Sequence, residues 1–157
     1  MTIIRKASRD DAQAAWDIRN AAIRVACPAH YDAEVLALWT EGDMTDDFIT
    51  MVAEHFQVAE LHGRVMATGM ICLDTGKVDA IFVHPRAMGS GLGLAMMAHL
   101  EALARRAGLN RLFLEATLNA APFYRRCGFV GDRVDQYHSP RGITLPCVPM
   151  AKPLPRG

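Results

Sequence analysis

Short apolar runs separated by turn signals predict the strands of this chain. The runs 56–61 (FQVAEL), 64–74 (RVMATGMICLD) and 77–84 (KVDAIFVH) follow one another directly. His62-Gly63 and Thr75-Gly76 mark the turns between them, which favours antiparallel neighbours. Four further strands are predicted at 2–7, 111–117, roughly 130–136 and 143–152.

Apolar residues at helical spacing predict the helices. Residues 11–26 follow a capping residue, Asp10 or Ser8, and end before Cys27-Pro28, because a residue that precedes proline avoids the helical region. Further helices are predicted at 32–40, 45–55, 92–107 and 119–127, the last two closed by Gly108 and Gly128. Antiparallel strands that lead into a β-α-β unit indicate an α/β (α+β) fold, a mixed and mostly antiparallel sheet of about seven strands with helices on both faces.

The composition narrows the classes of protein to consider. The chain has 157 residues, enough for one domain over 1–157 with a core that folds unaided. Lys and Arg number 17, as do Asp and Glu, and this balance argues against a partner that is a nucleic acid or a membrane surface. No apolar run approaches the roughly 18 residues of a membrane span. The first residues also lack the features of a signal peptide, so we expect a cytoplasmic protein.

The cysteines do not form a metal-binding or disulfide pattern. They are widely spaced, without a C-x-x-C pair, at Cys27, Cys72, Cys127 and Cys147. The six histidines do not supply close pairs of ligands either. We therefore expect reduced thiols, no disulfide and no metal.

Three alternating glycines stand at the start of a predicted helix in FVHPRAMGSGLGLAMM (82–97). Unpaired N–H groups at a helix N-terminus favour a phosphate, and Gly89, Gly91 and Gly93 remove the Cβ atoms that would keep an anion away. The segment is not a Walker A loop, which ends in Gly-Lys-Ser/Thr. It is not a dinucleotide fingerprint either, because that motif would require glycine where Leu94 stands.

Two motifs resemble the GNAT superfamily of N-acetyltransferases. Val83-His84-Pro85 and the run Met88–Gly93 are similar to its acyl-CoA loop, with Met88 where the family prefers Gln or Arg. The stretch LEATLNAAPFYRRCGF (114–129) is similar to its later motif, in the variant with Asn119-Ala120 before Phe123-Tyr124. The resemblance covers nearly the whole chain and implies a GNAT-like acyl-CoA N-acyltransferase fold with a splayed sheet.

The resemblance also implies how acetyl-CoA, the cosubstrate, would bind. The pantetheine arm would enter a gap between 78–84 and 111–117, held by backbone groups near Phe82 and Val83, which would polarise the thioester carbonyl. The pyrophosphate would lie against the glycine loop. The predicted cofactor-binding residues are Phe82, Val83, Met88, Gly89, Ser90, Gly91, Leu92, Gly93 and Asn119.

Three residues are candidates for proton transfer. The resemblance makes Tyr124 the general acid to the CoA sulfur, and the alternative is an aromatic pair with Phe123 that only packs the helix on the sheet. Asp79 and Glu115 lie in the two strands that would splay, and either would serve as the base, directly or through water. The alternatives are a strand-edge charge for Asp79 and a structural carboxylate for Glu115.

The predicted function is transfer of an acetyl group from acetyl-CoA to a primary amine of a small molecule or peptide, by direct attack in a ternary complex. Two alternatives stay open: a non-catalytic acyl-CoA-binding or regulatory module, and a protein lysine or N-terminal acetyltransferase. The acceptor would be recognised by the segment 28–39 and the loop 136–143, with Tyr31, Trp39 and Tyr137 as candidate pocket residues, although the spacing of Trp39 favours the core. Prolines in 142–154 predict that the last strand ends the sheet or pairs only in part, and a homodimer covering such an edge is expected.

Overall fold

The computed structural model describes residues 2–138 and 142–155. Its strands are β1 (Thr2–Lys6), β2 (Phe56–Leu61), β3 (Arg64–Cys72), β4 (Lys77–Val83), β5 (Arg111–Thr117), β6 (Asp135–His138) and β7 (Thr144–Pro153). Its helices are α1 (Ala12–Ala26), α2 (Ala33–Trp39), α3 (Asp46–His55), α4 (Leu92–Arg106) and α5 (Ala121–Arg126). Short 3₁₀ turns at Arg9–Asp11 and Pro85–Ala87 precede α1 and the glycine loop.

The described strands form one sheet of seven in the order β1-β2-β3-β4-β5-β7-β6. Every neighbouring pair is antiparallel except β4 and β5, which are parallel and joined by α4. The predicted antiparallel run 56–84 and the predicted β-α-β unit are therefore confirmed, as is the mixed, mostly antiparallel fold class.

Helices cover both faces of the sheet because its strands alternate inward and outward. Val58 of β2 packs with the α1 and α3 residues Ala15 and Val52, whereas its neighbour Ala59 packs in the largest apolar cluster with Met96 and Leu100 of α4. Adjacent residues of a strand point to opposite faces, so these two clusters lie on opposite sides. None of the described helices is long and apolar enough to cross a membrane.

The strand predicted at 130–136 begins later than expected. β6 starts at Asp135, and Val130 makes only an isolated bridge to Ala151. Between them the chain passes close over β7, where a Cβ atom on Gly131 would lie 2.1 Å from the Pro149 carbonyl oxygen. This close approach of two backbones displaces the regular pairing to residues nearer the turn.

The prediction that the C-terminal strand ends the sheet is wrong, while its partial pairing is confirmed. β7 lies between two strands, pairing with β5 along Cys147–Pro153 and with β6 only along Thr144–Cys147. Ala151 exchanges both its backbone hydrogen bonds with Val130, on the side away from β5. Pro149 and Pro153 share that orientation because residues two apart in a strand face the same way, and so their missing N–H groups interrupt no bond to β5.

β4 and β5 separate almost at once, which opens a gap in the middle of the sheet. Their parallel pairing is recorded at Lys77 with Phe113, and the Phe113 N–H donates to Gly76 O at 3.1 Å. The register between β3 and β4 shifts between Met70 and Ile71, whose partners are Ala80 and Val78, so that Asp79 is the extra residue of a bulge. A bulge bends its strand, and β4 parts from β5 beyond this one.

Candidate active site

The gap is bordered by backbone groups of β4 that have no strand beside them. His84 N–H donates to Met66 O of β3 at 2.7 Å, so even-numbered residues at this end of β4 face β3. Ile81 and Val83 consequently turn their N–H and C=O groups into the gap. Phe82, whose backbone is predicted to hold the pantetheine arm, has its N–H and C=O groups turned to β3, where Thr68 is its partner. Val83, with the same predicted role, has them turned into the gap.

The glycine loop leads from β4 into α4 with two residues in the left-handed region. Gly89 has φ 80° and Gly91, the residue before the helix, has φ 85°. A Cβ atom on either would meet nothing within 4 Å, so the space above both is open. The first N–H groups of a helix have no partner within it, and here they belong to Leu92 and Gly93.

Two other loop N–H groups are already used inside the loop. Ser90 N–H donates to Ala87 O at 3.2 Å, and Met88 N–H donates weakly to Pro85 O at 3.4 Å. The Ser90 hydroxyl also donates to Ala87 O. These two N–H groups are therefore not free for an anion, while Met88 offers an exposed apolar side chain.

Gly93 has a different role from the two glycines before it. A Cβ atom there would lie 3.2 Å from the Phe123 ring and 3.6 Å from Val83 Cγ2. The glycine lets the first turn of α4 approach α5 and the end of β4. The alternating pattern thus combines two turn positions with one position of close packing.

Tyr124 reaches the gap from α5. Its ring is buried between Phe123 and Phe129, with centroids 5.2 and 5.9 Å away. Burial raises the pKa of Tyr124 to about 12, against the smaller effect of a hydrogen bond from the backbone of Ile81. The side chain is therefore an aromatic packing residue and also a phenol whose oxygen lies at the strand that borders the gap.

The two predicted bases share one lysine. Lys77 Nζ lies 3.2 Å from Glu115 Oε1 and 4.0 Å from Asp79 Oδ1, and all three side chains are about one-third exposed or slightly more. Burial acts to lower the pKa of Lys77, but the bond to Glu115 and the charge of Asp79 outweigh it and raise that pKa. Tyr137 lies against the same group, and burial, aided by the Asp79 charge, raises its pKa.

Asn119 and Tyr31 connect the end of β5 to the segment after α1. Asn119 Oδ1 accepts a hydrogen bond from the Cys27 thiol at 3.3 Å. Burial raises the pKa of Cys27 to about 11, so the thiol keeps its proton as the donor. The Tyr31 hydroxyl accepts from Leu118 N–H at 3.0 Å and donates to Pro146 O at 2.7 Å. The Asn119 side chain is thus bonded to the residue that follows α1.

The face expected to receive the acceptor is an apolar cluster between α1, α2 and the β6–β7 hairpin. Its members are Ile23, Cys27, Tyr31, Leu36, Trp39, Ile143 and Leu145, with Phe82 and Tyr137 packed against them. Trp39 is buried there, as its helical spacing indicated. The predicted loop 136–143 lies partly outside the described residues, since 139–141 are not among them.

Two shallow grooves accompany these features. One of about 490 Å³ runs beside the apolar cluster and is lined by Leu38, Glu41, Asp43, Thr45, Gly142 and Ile143. Another of about 500 Å³ lies on the α4 face beside Lys6, Gln57 and His99, and no predicted site residue lines it. The first groove lies beside the acceptor face, and the two grooves are of nearly equal volume.

Sequence reasoning missed Lys77, and it named Tyr31 as a candidate pocket residue without its hydrogen bonds. Lys77 joins Asp79 to Glu115, and Tyr31 bonds to both β5 and β7. The run Lys-Val-Asp of 77–79 hinted that two opposite charges share a strand face. No local signal identifies the hydrogen bonds of Tyr31, because its partners are 87 and 115 residues away in the chain.

Comparison with known proteins agrees with the motifs. Residues 15–129 match the model of the acetyltransferase (GNAT) family. The probable glucosamine 6-phosphate N-acetyltransferase 2 of Oryza sativa subsp. japonica is 30% identical over 115 residues, which are 67% of this chain and 68% of that protein.

Solved structures share the fold. A GCN5-related N-acetyltransferase from Rhodopseudomonas palustris superposes with a TM-score of 0.90 at 24% identity, covering 98% of this chain and 96% of that one. YncA from Salmonella typhimurium, solved with its cofactor acetyl-CoA, has a TM-score of 0.72 at 22% identity, covering 100% and 96%. The chain belongs to the GNAT family of acetyltransferases.

Proposed function

We propose that this protein transfers the acetyl group of acetyl-CoA to a primary amine of a small molecule or peptide, by direct attack of the amine in a ternary complex. The observation that carries the proposal is the gap between β4 and β5. It has backbone groups of β4 turned into it on one wall, a glycine loop and helix start at one end, and a buried phenol directed at it.

The residues around the gap fit acetyl-CoA. The open space above Gly89 and Gly91 gives an anion access to the first N–H groups of α4, where the helix dipole also favours a pyrophosphate. The N–H and C=O groups of Val83 are oriented to pair with the amides of a pantetheine arm. When bound, acetyl-CoA supplies an activated thioester.

The protein then supplies electrostatic and proton-transfer groups. A backbone N–H of β4 near Val83 would donate to the carbonyl oxygen on which negative charge develops, and a fixed donor at that point stabilises the transition state. Tyr124 would donate its phenolic proton to the departing sulfur, since the phenol is protonated at neutral pH.

Asp79 and Glu115 would accept the proton of the incoming ammonium through water. Both carboxylates are partly exposed, and Lys77 lies between them. Asp79 is at the bulge of β4, and Glu115 is in β5, which forms the other wall of the gap. An acceptor that arrives as an ammonium is attracted to this pair of carboxylates. This is the reason for proposing a primary amine as the acceptor.

Two other functions remain as alternatives on the same fold. A non-catalytic acyl-CoA-binding module would bind acetyl-CoA without turnover, and the presence of Tyr124 favours the enzyme. A protein acetyltransferase would acetylate lysines or N-termini in peptides. The rice relative is named for a small amino sugar phosphate, which supports the small-molecule class of acceptor.

An acceptor screen tests the proposal. Purified protein and acetyl-CoA are incubated with amines, amino acids, amino sugar phosphates, polyamines, aminoglycosides and lysine peptides, and the released CoA thiol is measured. Mass spectrometry then identifies the acetylated product. We expect turnover with at least one small amine. Tight binding of acetyl-CoA without turnover on any acceptor would favour the non-catalytic module.

We also propose a homodimer, now on different grounds from the position of the last strand. The open edge of the sheet on this side is β6, and Val130 and Val134, in the segment that leads to it, are 75% and 58% exposed. A second copy covering the edge would bury these side chains. Light scattering at micromolar concentration should give a dimer mass, and replacing both valines with lysine should give a monomer; a monomeric wild type would contradict the proposal.

A further inference from the structure

The Tyr31 hydroxyl takes the place of one directly hydrogen-bonded residue pair, or rung, in the antiparallel ladder between β5 and β7. Thr117 pairs with Cys147 there, so the next pair in register is Leu118 with Pro146. The hydroxyl lies between these two residues, accepting from Leu118 N–H at 3.0 Å and donating to Pro146 O at 2.7 Å. A side chain from the segment between α1 and α2 is therefore part of the sheet.

Proline at 146 explains why the rung is open to a side chain. In an antiparallel ladder, opposite residues alternate between pairs that exchange two backbone hydrogen bonds and pairs that exchange none. Leu118 N–H and Pro146 O point toward each other's strand, where both meet the Tyr31 hydroxyl, so Leu118 and Pro146 form a pair of the first type. Pro146 has no N–H to contribute, and direct closure would form only one bond. The inserted hydroxyl satisfies both available groups instead.

A second contact ties the same two segments together. The Cys27 thiol, at the end of α1, donates to Asn119 Oδ1, which belongs to the residue after Leu118. Tyr31 itself is 7% exposed, and its ring lies 6.0 Å from that of Trp39 in the acceptor-face cluster. The position of the α1–α2 segment is thus fixed to the end of β5 by two side-chain bonds.

This end of β5 is the wall of the gap that β4 has left. Since β4 parts from β5 after Lys77, the far end of β5 is supported from the other side by β7 and, at its last position, by Tyr31. The opposite side of the Tyr31 ring faces the apolar cluster with Leu36 and Trp39. Tyr31 therefore connects the acceptor face to the wall of the gap.

We propose that Tyr31 is a positioning residue for the acceptor, holding the α1–α2 segment and the end of β5 at the separation that brings the amine to the thioester. This rests on the proposed acetyl transfer. The hydrogen bonds described for Tyr31 are to Leu118 and Pro146, neither of which is proposed to hold acetyl-CoA. Loss of Tyr31 should consequently alter the use of the acceptor while the binding of acetyl-CoA is retained.

The test is the variant Tyr31→Phe, which removes the hydroxyl and keeps the ring. With an acceptor found by the screen, we expect the KM for that acceptor to rise about tenfold or more, because two buried hydrogen-bonding groups lose their partner. The Kd for acetyl-CoA, measured by calorimetry, should stay within about twofold of wild type. Amide exchange at Leu118 should accelerate, while the amides of Leu114 and Ala116 keep their protection.

A matched control separates positioning from general destabilisation. The Thr40 hydroxyl is also buried and donates to Leu36 O at 2.9 Å, at the end of α2. Thr40→Val therefore removes a buried hydroxyl bond from the same region and leaves the rung intact. It should lower the midpoint of thermal unfolding without changing the acceptor KM.

The variant Pro146→Ala approaches the rung from the other strand. It supplies the missing N–H, so that Leu118 and residue 146 can exchange two bonds directly and expel the hydroxyl. We expect the acceptor KM to rise about threefold or more, and this variant carries the test should Tyr31→Phe fail to fold.

The outcomes separate this inference from the proposed function. A wild type that acetylates no acceptor overturns both, because there is then no acceptor step to position. An active wild type whose Tyr31→Phe and Pro146→Ala variants keep its acceptor KM overturns the positioning role alone. So does a parallel loss of acceptor use, acetyl-CoA affinity and thermal stability, since that pattern describes an ordinary packing residue.

Discussion

At the scale of single residues, Tyr124 combines a packing role with a phenol at the edge of the gap, and one substitution separates the two. Tyr124→Phe keeps the ring between Phe123 and Phe129 and removes the hydroxyl. We expect kcat to fall about 10²–10⁴-fold, the usual contribution of general acid catalysis, with an unchanged Kd for acetyl-CoA. A variant with wild-type kcat would show that Tyr124 is a packing residue without a catalytic role.

The control for this substitution alters packing and keeps the hydroxyl. Phe129 is buried against the Tyr124 ring, so Phe129→Leu should lower the midpoint of thermal unfolding more than Tyr124→Phe does. Its kcat should stay near that of wild type. If both variants lost kcat in proportion to stability, the hydroxyl would have no separate role.

Glu115 offers a second test at this scale, through pH. If it helps to remove the proton of the incoming ammonium, Glu115→Gln should lower kcat/KM at pH 7 by about 10²-fold or more. The loss should shrink as pH rises toward the ordinary range of amines, because the acceptor then arrives already neutral. Asp79→Asn should behave in the same direction. A loss that is equal at pH 7 and pH 10 would contradict the role of proton acceptor.

Glu101 supplies the matched control for the loss of an ion pair. Its carboxylate lies 2.6 Å from Lys152 Nζ, in a half-buried pair on the α4 face. Glu101→Gln removes one partner of an ion pair as Glu115→Gln does. We expect a change in the free energy of unfolding without a pH-dependent change in kcat/KM.

The residues of the site differ in how far the sequence could predict them. Gly89, Gly91 and Tyr124 belong to local motifs whose chemistry can be recognised within a few positions. Lys77 and Tyr31 act through partners on other strands, and their roles depend on register and on a bulge. The different orientations of Phe82 and Val83 have the same cause, since only the register states which backbone groups face the gap.

At the scale of elements, the start of α4 is tested by comparing two glycines of the same conformation. Gly91 and Gly108 have φ of 85° and 83°, and a Cβ atom on either would meet nothing within 4 Å. Alanine at each position therefore introduces the same backbone strain, about 1–2 kcal/mol. Only Gly91 precedes the N-terminus of α4, whereas Gly108 follows its C-terminus.

We expect Gly91→Ala to weaken acetyl-CoA binding at least tenfold, and Gly108→Ala to leave it within about twofold. Both should lower the midpoint of thermal unfolding by a similar amount. Calorimetry with CoA and with acetyl-CoA makes the measurement. Equal affinities for the two variants would show that the glycine loop does not hold the cosubstrate.

The sequence predicted where the strands lie along the chain better than it predicted the place of the last strand in the sheet. The pattern of apolar residues located β2, β3, β4 and β5 because each is bounded by a turn or a helix. The three prolines of β7 predict a strand that ends the sheet or pairs only in part, but their effect depends on which side of the strand each missing N–H faces. Pro149 and Pro153 face away from β5, and Pro146 faces the rung that Tyr31 fills. Proline therefore predicts incomplete pairing without stating its side.

At the scale of the whole molecule, buried phenols and thiols should set the response of stability to alkaline pH. Burial raises the pKa of Tyr124 from its ordinary 10.0 to about 12, and that of Cys27 from 9.0 to about 11. Burial also raises the pKa values of Tyr31 and Cys147. These groups keep their protons in the folded chain at pH values where the unfolded chain has released them.

The sign of the effect follows from proton binding. Above the ordinary pKa of each group the folded state binds more protons than the unfolded state, so the free energy of unfolding decreases as pH rises. The stabilisation by these groups is complete below about pH 9. It is lost between about pH 9 and 11 for Cys27 and between about pH 10 and 12 for Tyr124.

Urea unfolding under reducing conditions at pH 8 to 12 measures this dependence. We expect the free energy of unfolding of wild type to fall steeply above pH 9, and that of Tyr124→Phe to fall less steeply above pH 10. The difference should reach on the order of 2–3 kcal/mol, since one unit of pKa corresponds to about 1.4 kcal/mol. Parallel curves for the two proteins between pH 10 and 12 would mean that the Tyr124 hydroxyl is hydrated in the folded state, and a hydrated phenol would also undermine its assignment as a general acid shielded within the gap.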